Sequence, residues 1–260
     1  MGLFLNWEVF IWILIMKNKL KKVRKQIPQK QTITIIGEGA TEKHYFDQLK
    51  ENEKIRLEQK NLTILPKKTP SKGYKCTEIV DRAMEQVEDY DVDFVFCVLD
   101  NDTICDNVKN KENFESKLAE LDSFCKEYNE SSKNKDKISI YSFPENILSL
   151  DSLKPKAIFI IKNMPCLEYW YLLHFKRTDR HFKTCQDVET LIYNKRRNYI
   201  PGYEKTNKYY CNHDIYHLLS DKLSMAISSA KSINNKRLDN IKKSQSFSDL
   251  YVLFEFLEIG

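Results

Sequence analysis

Residues 93–99 read DFVFCVL, after which the chain breaks into DNDT. A run this apolar has no face to offer water, so it reads as a strand buried on both sides. Sheets covered by helices on both faces supply such a place, and they are typically parallel. The neighbouring segments fit that demand. Residues 32–36 (TITII) form a short β-branched run ending at Gly37, and residues 41–50 place Tyr45, Phe46 and Leu49 at helical spacing. Strand, glycine turn and helix make the opening half of a βα unit. Residues 61–65 (NLTIL) predict a second strand, 66–73 a lysine-bearing loop, and 76–87 a helix with Ile79, Ala83 and Val87 on one face. A long amphipathic helix is expected over 111–128, strands over 138–143 and 157–161, and a buried helix over 166–175 (CLEYWYLLHF). Beyond about residue 180 the pattern turns helical and rich in Tyr, Lys and Asn, with an amphipathic helix over 220–233. Alternating strands and helices predict an α/β fold with a parallel, doubly wound sheet. The expected division is an N-terminal segment 1–29, a core 30–178 and a helical C-terminal region 179–260.

Composition narrows the function classes. Hydrophobic residues make up 42% and charged residues 30%, which suits a globular chain rather than a membrane protein. A net charge of +5 permits a nucleic-acid partner without requiring one. Seven cysteines are scattered with no CxxC pair, so no disulfide framework is expected and a reducing cytoplasm fits. Cys97 and Cys166 sit in apolar surroundings, as small hydrophobes do. Residues 3–16 (LFLNWEVFIWILIM) are apolar but interrupted by Asn6 and Glu8, short of the ~20 residues a membrane span needs. The basic run 17–25 follows. The expectation is a native start at Met16 and no stable membrane insertion; the alternative is an amphipathic surface anchor.

In open α/β sheets ligands bind beyond the carboxyl ends of the strands. Two acidic groups fall at such ends: Glu38, with Glu42 a turn later, and Asp100 with Asp102. Residues two apart on a strand share a face, so D-x-D is expected to aim both carboxylates one way. Hard cations such as Mg²⁺ take a few carboxylates and several waters, leaving room for phosphate oxygens. An Asp after a strand is also a common cap or turn residue, so DNDT alone carries little.

These segments together resemble a known family. ITIIGEGATEKHYFDQL is similar to the strand, EG-x-TE, helix opening of Toprim domains of the OLD-nuclease type, and closer still to the RloB-like family, where EG-x-x-TE-x-x-YF is typical. Its E-G-A-T-E spacing is one residue shorter than the RloB form and matches the OLD form. FVFCVLDNDT resembles the second motif of that family, and residues 163–175 (NMPCLEYWYLLHF) its third, N-P-x-F-E-x-W-L-L-x-H-F. The third departs by an inserted Met164 and by Leu167 in place of the usual aromatic. YEKTNK at 203–208, the helix around 226–231 and a late Ser-x-x-x-Leu also match.

The resemblance implies a Toprim-like parallel sheet and cleavage of DNA or RNA with Mg²⁺ or Mn²⁺. By position Glu38 is a metal ligand or general acid/base, and Asp100 and Asp102 are metal ligands. Glu42 is a second acid able to support another metal. Glu168 is the acid of the third motif, or a helix anchor. The implied setting is anti-phage defence. The implied partners are nucleic acid, an AAA- or ABC-type ATPase and further copies of the chain. A nuclease also needs cations to hold a polyanion; the candidates are Lys205 and Lys208, with Lys195, Arg196 and Arg197 upstream. Tyr199, Tyr203, Tyr209 and Tyr210 are more simply read as packing than as base-stacking platforms. His181 with Cys185, and Cys211 with His213 and His217, lack the spacing of a structural zinc module. His174 reads as a core residue.

Two other functions compete. A haloacid-dehalogenase-type phosphatase would use Asp100 as nucleophile and Asp102 as acid, but leaves Glu38 idle and expects this strand near the start of the domain. A dormant sensor subunit of an ATPase complex would keep the acidic set without cutting alone.

Overall fold

The structure, a computed structural model, describes residues 30–68, 73–131, 136–142, 155–193, 196, 198–239 and 245–260. The apolar and basic N-terminal runs, together with Lys195 and Arg197, lie outside the described residues.

Five parallel strands run in the order β2-β1-β3-β5-β4: β1 (Gln31–Ile36), β2 (Lys60–Leu65), β3 (Phe94–Asp100), β4 (Ile138–Ser142) and β5 (Lys156–Met164). A two-residue strand, β6 (Phe247–Ser248), pairs antiparallel with the end of β5. As the sequence demanded, β3 is central and buried at every position. Alternate strand residues point to opposite faces, and two cores result. On one face Ile33, Ile35, Phe94, Phe96, Val98, Phe159 and Ile161 meet α1 (Ala40–Asn52) and α5 (Leu167–Leu173). The same face takes up the C-terminal helices α9 (Leu223–Asp239) and α10 (Tyr251–Leu257) through Ala226, Ala230, Phe254 and Phe256. On the other, Ile36, Val95, Cys97, Leu99, Ile158 and Ile160 pack on α2 (Cys76–Glu88) and α4 (Val108–Glu130). Residues 31–260 form one compact unit.

Local chemistry explains where the elements exceed their expected bounds. Helix α4 starts at Val108, earlier than its apolar spacing suggests, because the Asn107 side chain accepts from Asn110 N at 2.8 Å and caps it. Strand β5 continues past Ile161 because Asn163 and Met164 find partners on β3 or β6. The docking of β6 is secured by Asp249, fully buried, whose N donates to Lys162 O and whose carboxylate faces Arg237. Burial pushes the Asp249 carboxyl up to about 7, with Arg237 working against it.

Topology places the crevice. The connection after β1 enters α1 on one face, whereas the chain after β3 leads to α4 on the other. Adjacent strands whose connections diverge leave a gap at their carboxyl ends. Gly37, Glu38 and Gly39 follow β1 there, and Asp100 ends β3.

Phe159 is fully buried, stacked 4.4 Å from Phe96 and also against Tyr141. Phe159→Ala should therefore cost about 3–5 kcal/mol of unfolding free energy. Urea denaturation is expected to show a lower midpoint at unchanged slope; a loss under about 1 kcal/mol would contradict this packing.

Candidate active site

The turn after β1 is shaped by close backbone approach. A Cβ on Gly37 would lie 2.3 Å from the Glu42 Cβ, and one on Gly73 would lie 2.8 Å from the Glu38 carbonyl oxygen. Only glycine fits at either place. Gly37 N donates to Leu65 O at 3.1 Å, and Tyr74 N to Glu38 O at 2.6 Å, so Glu38 is held from both sides of its peptide. Its side chain turns to β3: Oε1 accepts from Asp100 N at 2.8 Å and from Thr103 Oγ1 at 3.1 Å.

Asp100 is 7% exposed, and its Oδ1 accepts from Leu167 N, the first residue of α5, at 2.9 Å. The ends of β1, β3 and β5 are thereby tied together through two carboxylates. Asp102 differs from its sequence-based placement. Residues Asn101–Cys105 form a short helix, α3, so Asp102 does not share a strand face with Asp100. It sits in the first turn of α3, its N donating to Pro165 O at 3.1 Å. The crevice still brings it within the field of Glu38 and Glu168.

Glu42 and Glu168 complete the cluster from behind. Glu42 is buried, and its Oε2 accepts from Gly39 N at 2.8 Å, which caps the first turn of α1. Glu168, fully buried in the first turn of α5, accepts from Tyr203 Oη and pairs with Lys205 Nζ, both at 2.9 Å. Tyr203 in turn shares a hydrogen bond with Tyr210 Oη at 2.6 Å.

The electrostatics follow from burying carboxyls together. Burial, then Glu42, pushes the Glu38 carboxyl up to about 8, despite the Asp100 N–H and Thr103 hydroxyl that favour its charge. Burial, then Glu42, Glu38 and Glu168, holds Asp100 well above the usual carboxylate range. Burial also raises Glu42 and Asp102, and Lys205 opposes both shifts. Burial works against the Lys205 ammonium, but Glu168, Asp100 and Glu42 outweigh it and raise its pKa.

A model of the family described as RloB-like protein matches residues 33–257. The chain belongs to the RloB-like family. No curated protein and no solved structure matches it.

In this RloB-like chain the two lysines of YEKTNK have different settings. Both are exposed, but Lys205 reaches Glu168 in the acidic crevice, whereas Lys208, on α7 (Asn207–Asn212), has no ion pair among the described residues. Arg196 is exposed. Tyr203, Tyr209 and Tyr210 are buried, in line with packing. His174 is buried beneath Trp170 with Nδ1 2.9 Å from Trp170 O, and burial pushes its pKa down to about 4.

The cysteines bring a correction. Cys166 and Cys185 form a disulfide; the other five are free. The pair is 19 residues apart without a motif, and the starts of α5 and α6 (Cys185–Ile192) place their Cα atoms 5.7 Å apart. The sequence does not reveal Thr103, though it is within reach as the last residue of DNDT, nor the role of Tyr203 toward Glu168. Cys185 stands out there only beside His181, and nothing local marks it as the partner of Cys166.

The carboxylates of Glu38, Asp100 and Asp102 do not close on one point, each of the first two being turned to a local donor. Among the described residues, a group of three potential ligand atoms lying within 4.8 Å of one another is formed by Cys166, Glu168 and Cys185. The donor chemistry at β1 and β3 nevertheless suits a hard divalent cation: the ligands are all oxygen, and burial and mutual repulsion raise the carboxyl pKa values, as in a site that lacks enough positive charge to hold every carboxylate ionised.

The sign of the pH dependence follows from Glu38. Its folded value of about 8 exceeds the ordinary 4.5, so the folded chain binds the extra proton. That contribution to stability is full below the ordinary value and is lost as pH rises through about 8. In chelator, the Tm of the protein relative to Glu38→Gln should fall between about pH 5 and 8.5. A difference that stays flat across that window would contradict the assignment.

Proposed function

We propose that this RloB-like chain is a metal-dependent nuclease of Toprim type that hydrolyses phosphodiester bonds in DNA or RNA. The observation that supports the reading is the gathering of Glu38, Asp100 and Asp102 in one crevice at the carboxyl ends of β1 and β3, close enough to feel one another's charge, with Glu42 and Glu168 behind them and Lys205 among them. Glu38, Asp100 and Asp102 would hold Mg²⁺ or Mn²⁺, which when bound polarises a phosphoryl oxygen and offsets its charge.

The chain's own residues divide the remaining work. Glu38 is either one of these ligands or a general acid/base acting at Oε2 while Oε1 stays engaged by Thr103 and the Asp100 N–H. Lys205, fixed by Glu168, supplies a positive charge toward an anionic phosphate. Two cavities flank the carboxylates. One of about 580 Å³ is lined by Glu38, Lys75, Thr103 and Asn110; the other, about 670 Å³, by Asp102, Thr103, Asn110 and Lys183. Together they offer a polynucleotide a path across Thr103, with Lys75 and Lys183 at either side. This gives Glu38 a role that the phosphatase reading does not. An ATPase partner and a role in anti-phage defence rest on the family resemblance.

The test is cleavage of plasmid, single-stranded DNA and total tRNA by the full chain with Mg²⁺ or Mn²⁺. Cleavage of one class is expected, abolished by chelator and reduced about 10²–10⁴-fold in Glu38→Gln and Asp100→Asn. Cleavage that survives in both variants would place the chemistry elsewhere.

A further inference from the structure

The disulfide stands against the acidic crevice. Cys166 caps α5 immediately before Leu167, whose N–H holds Asp100, and Glu168, which holds Lys205. Cys185 opens α6, and its Sγ lies 3.0 Å from Glu168 Oε2 and 3.4 Å from Lys205 Nζ. The bond therefore fastens two helix starts around the Glu168–Lys205 pair. Accessibility is one-sided: Cys166 is fully buried, while Cys185 is half-buried beside Thr184, which lines the 670 Å³ cavity.

We propose that Cys166–Cys185 is a redox-modification site, opened and closed by exchange with small thiols and disulfides, whose bonded state fixes Lys205 on Glu168. A thiolate entering from the cavity attacks Cys185 Sγ, forms a mixed disulfide and displaces Cys166 as a thiolate, which takes up a proton. A second thiol, losing its proton, attacks the sulfur of the attached group, leaves as part of a small-molecule disulfide, and releases Cys185 as a thiolate beside the Lys205 ammonium; Cys185 then takes up the proton given by the attacking thiol. Two thiols are oxidised and one protein disulfide is reduced; the reverse exchange with a small disulfide restores the bond. Once open, the Cys185 thiol donates to Glu168 Oε2 and the tie between α5 and α6 is gone, so the hold on Lys205 loosens.

The same cluster could be read as a thiolate metal site. The ammonium already 2.9 Å from Glu168 and 3.4 Å from Cys185 Sγ occupies the place of a cation, which favours exchange over ligation.

The test uses the full chain equilibrated with glutathione disulfide or with dithiothreitol, then acid-quenched, alkylated and mapped by mass. A linked Cys166–Cys185 peptide is expected in the first case and two alkylated thiols in the second. Labelling of Lys205 by an amine-reactive ester should rise about fivefold on reduction, the factor that corresponds to losing ~1 kcal/mol of pairing. Cys185→Ser should label at the higher level under both conditions, and Cys211→Ser, at an exposed free thiol, should behave as the parent. Free thiols in excess glutathione disulfide, or Lys205 labelling unaffected by reduction, would overturn the proposal. Stoichiometric Zn²⁺ retained by the reduced chain and lost in Cys185→Ser would overturn it in favour of a metal site. A consequence for cleavage rests on the nuclease reading, and reduction should then slow it. The two fail separately, because thiol state and labelling are read without any activity.

Discussion

Five carboxyl groups share one crevice with Lys205, and the surrounding chain is arranged to make that tolerable. A buried carboxylate is costly unless it is hydrogen-bonded, paired or protonated. Each route is used. Asp100 accepts from the Leu167 N–H, Glu42 from the Gly39 N–H, Glu168 from Tyr203 and Lys205, and Glu38 from the Asp100 N–H and Thr103. What these bonds leave uncompensated is expressed as raised carboxyl pKa values. A site held at such a cost is poised to take up positive charge or a proton.

The same hydrogen bonds are also the mechanical links between strand ends. Glu38 joins the turn after β1 to β3, and Asp100 joins β3 to the start of α5. The disulfide extends that line to α6. The chemistry of the crevice is therefore coupled to the relative placement of three strand ends and two helices. The C-terminal segment takes part through β6, which pairs with Asn163 and Met164 just before α5, the helix that carries Glu168.

The cluster's polarity is one-sided. Behind it, Tyr171, Tyr203 and Tyr210 are buried together, and burial and the nearby Glu168 raise the pKa of each hydroxyl. The interior thus keeps its tyrosines neutral around Glu168. In front, the two cavities open beside Glu38 and Asp102.

Much of this was legible without coordinates. The apolar run at 93–99 specified a strand buried on both faces, because no other arrangement removes that much apolar surface from water. Gly37 and Gly39 marked the turn, and the acids at Glu38 and Asp100 marked the strand ends, because hydrophobic periodicity and turn chemistry are local. Three things needed the tertiary structure. Asp102 belongs to a short helix, a choice too brief for periodicity to register. Lys205 and Lys208 come from one basic-aromatic hexapeptide and both stay exposed, yet only the packing of residues 203–210 against α1 and α5 brings the first to Glu168 and leaves the second with no ion pair among the described residues. Cys166 and Cys185 meet because two helices start side by side, a proximity that neither residue's neighbours encode. Local pattern determined which acids lie at strand ends; long-range packing decided which cation and which thiols join them.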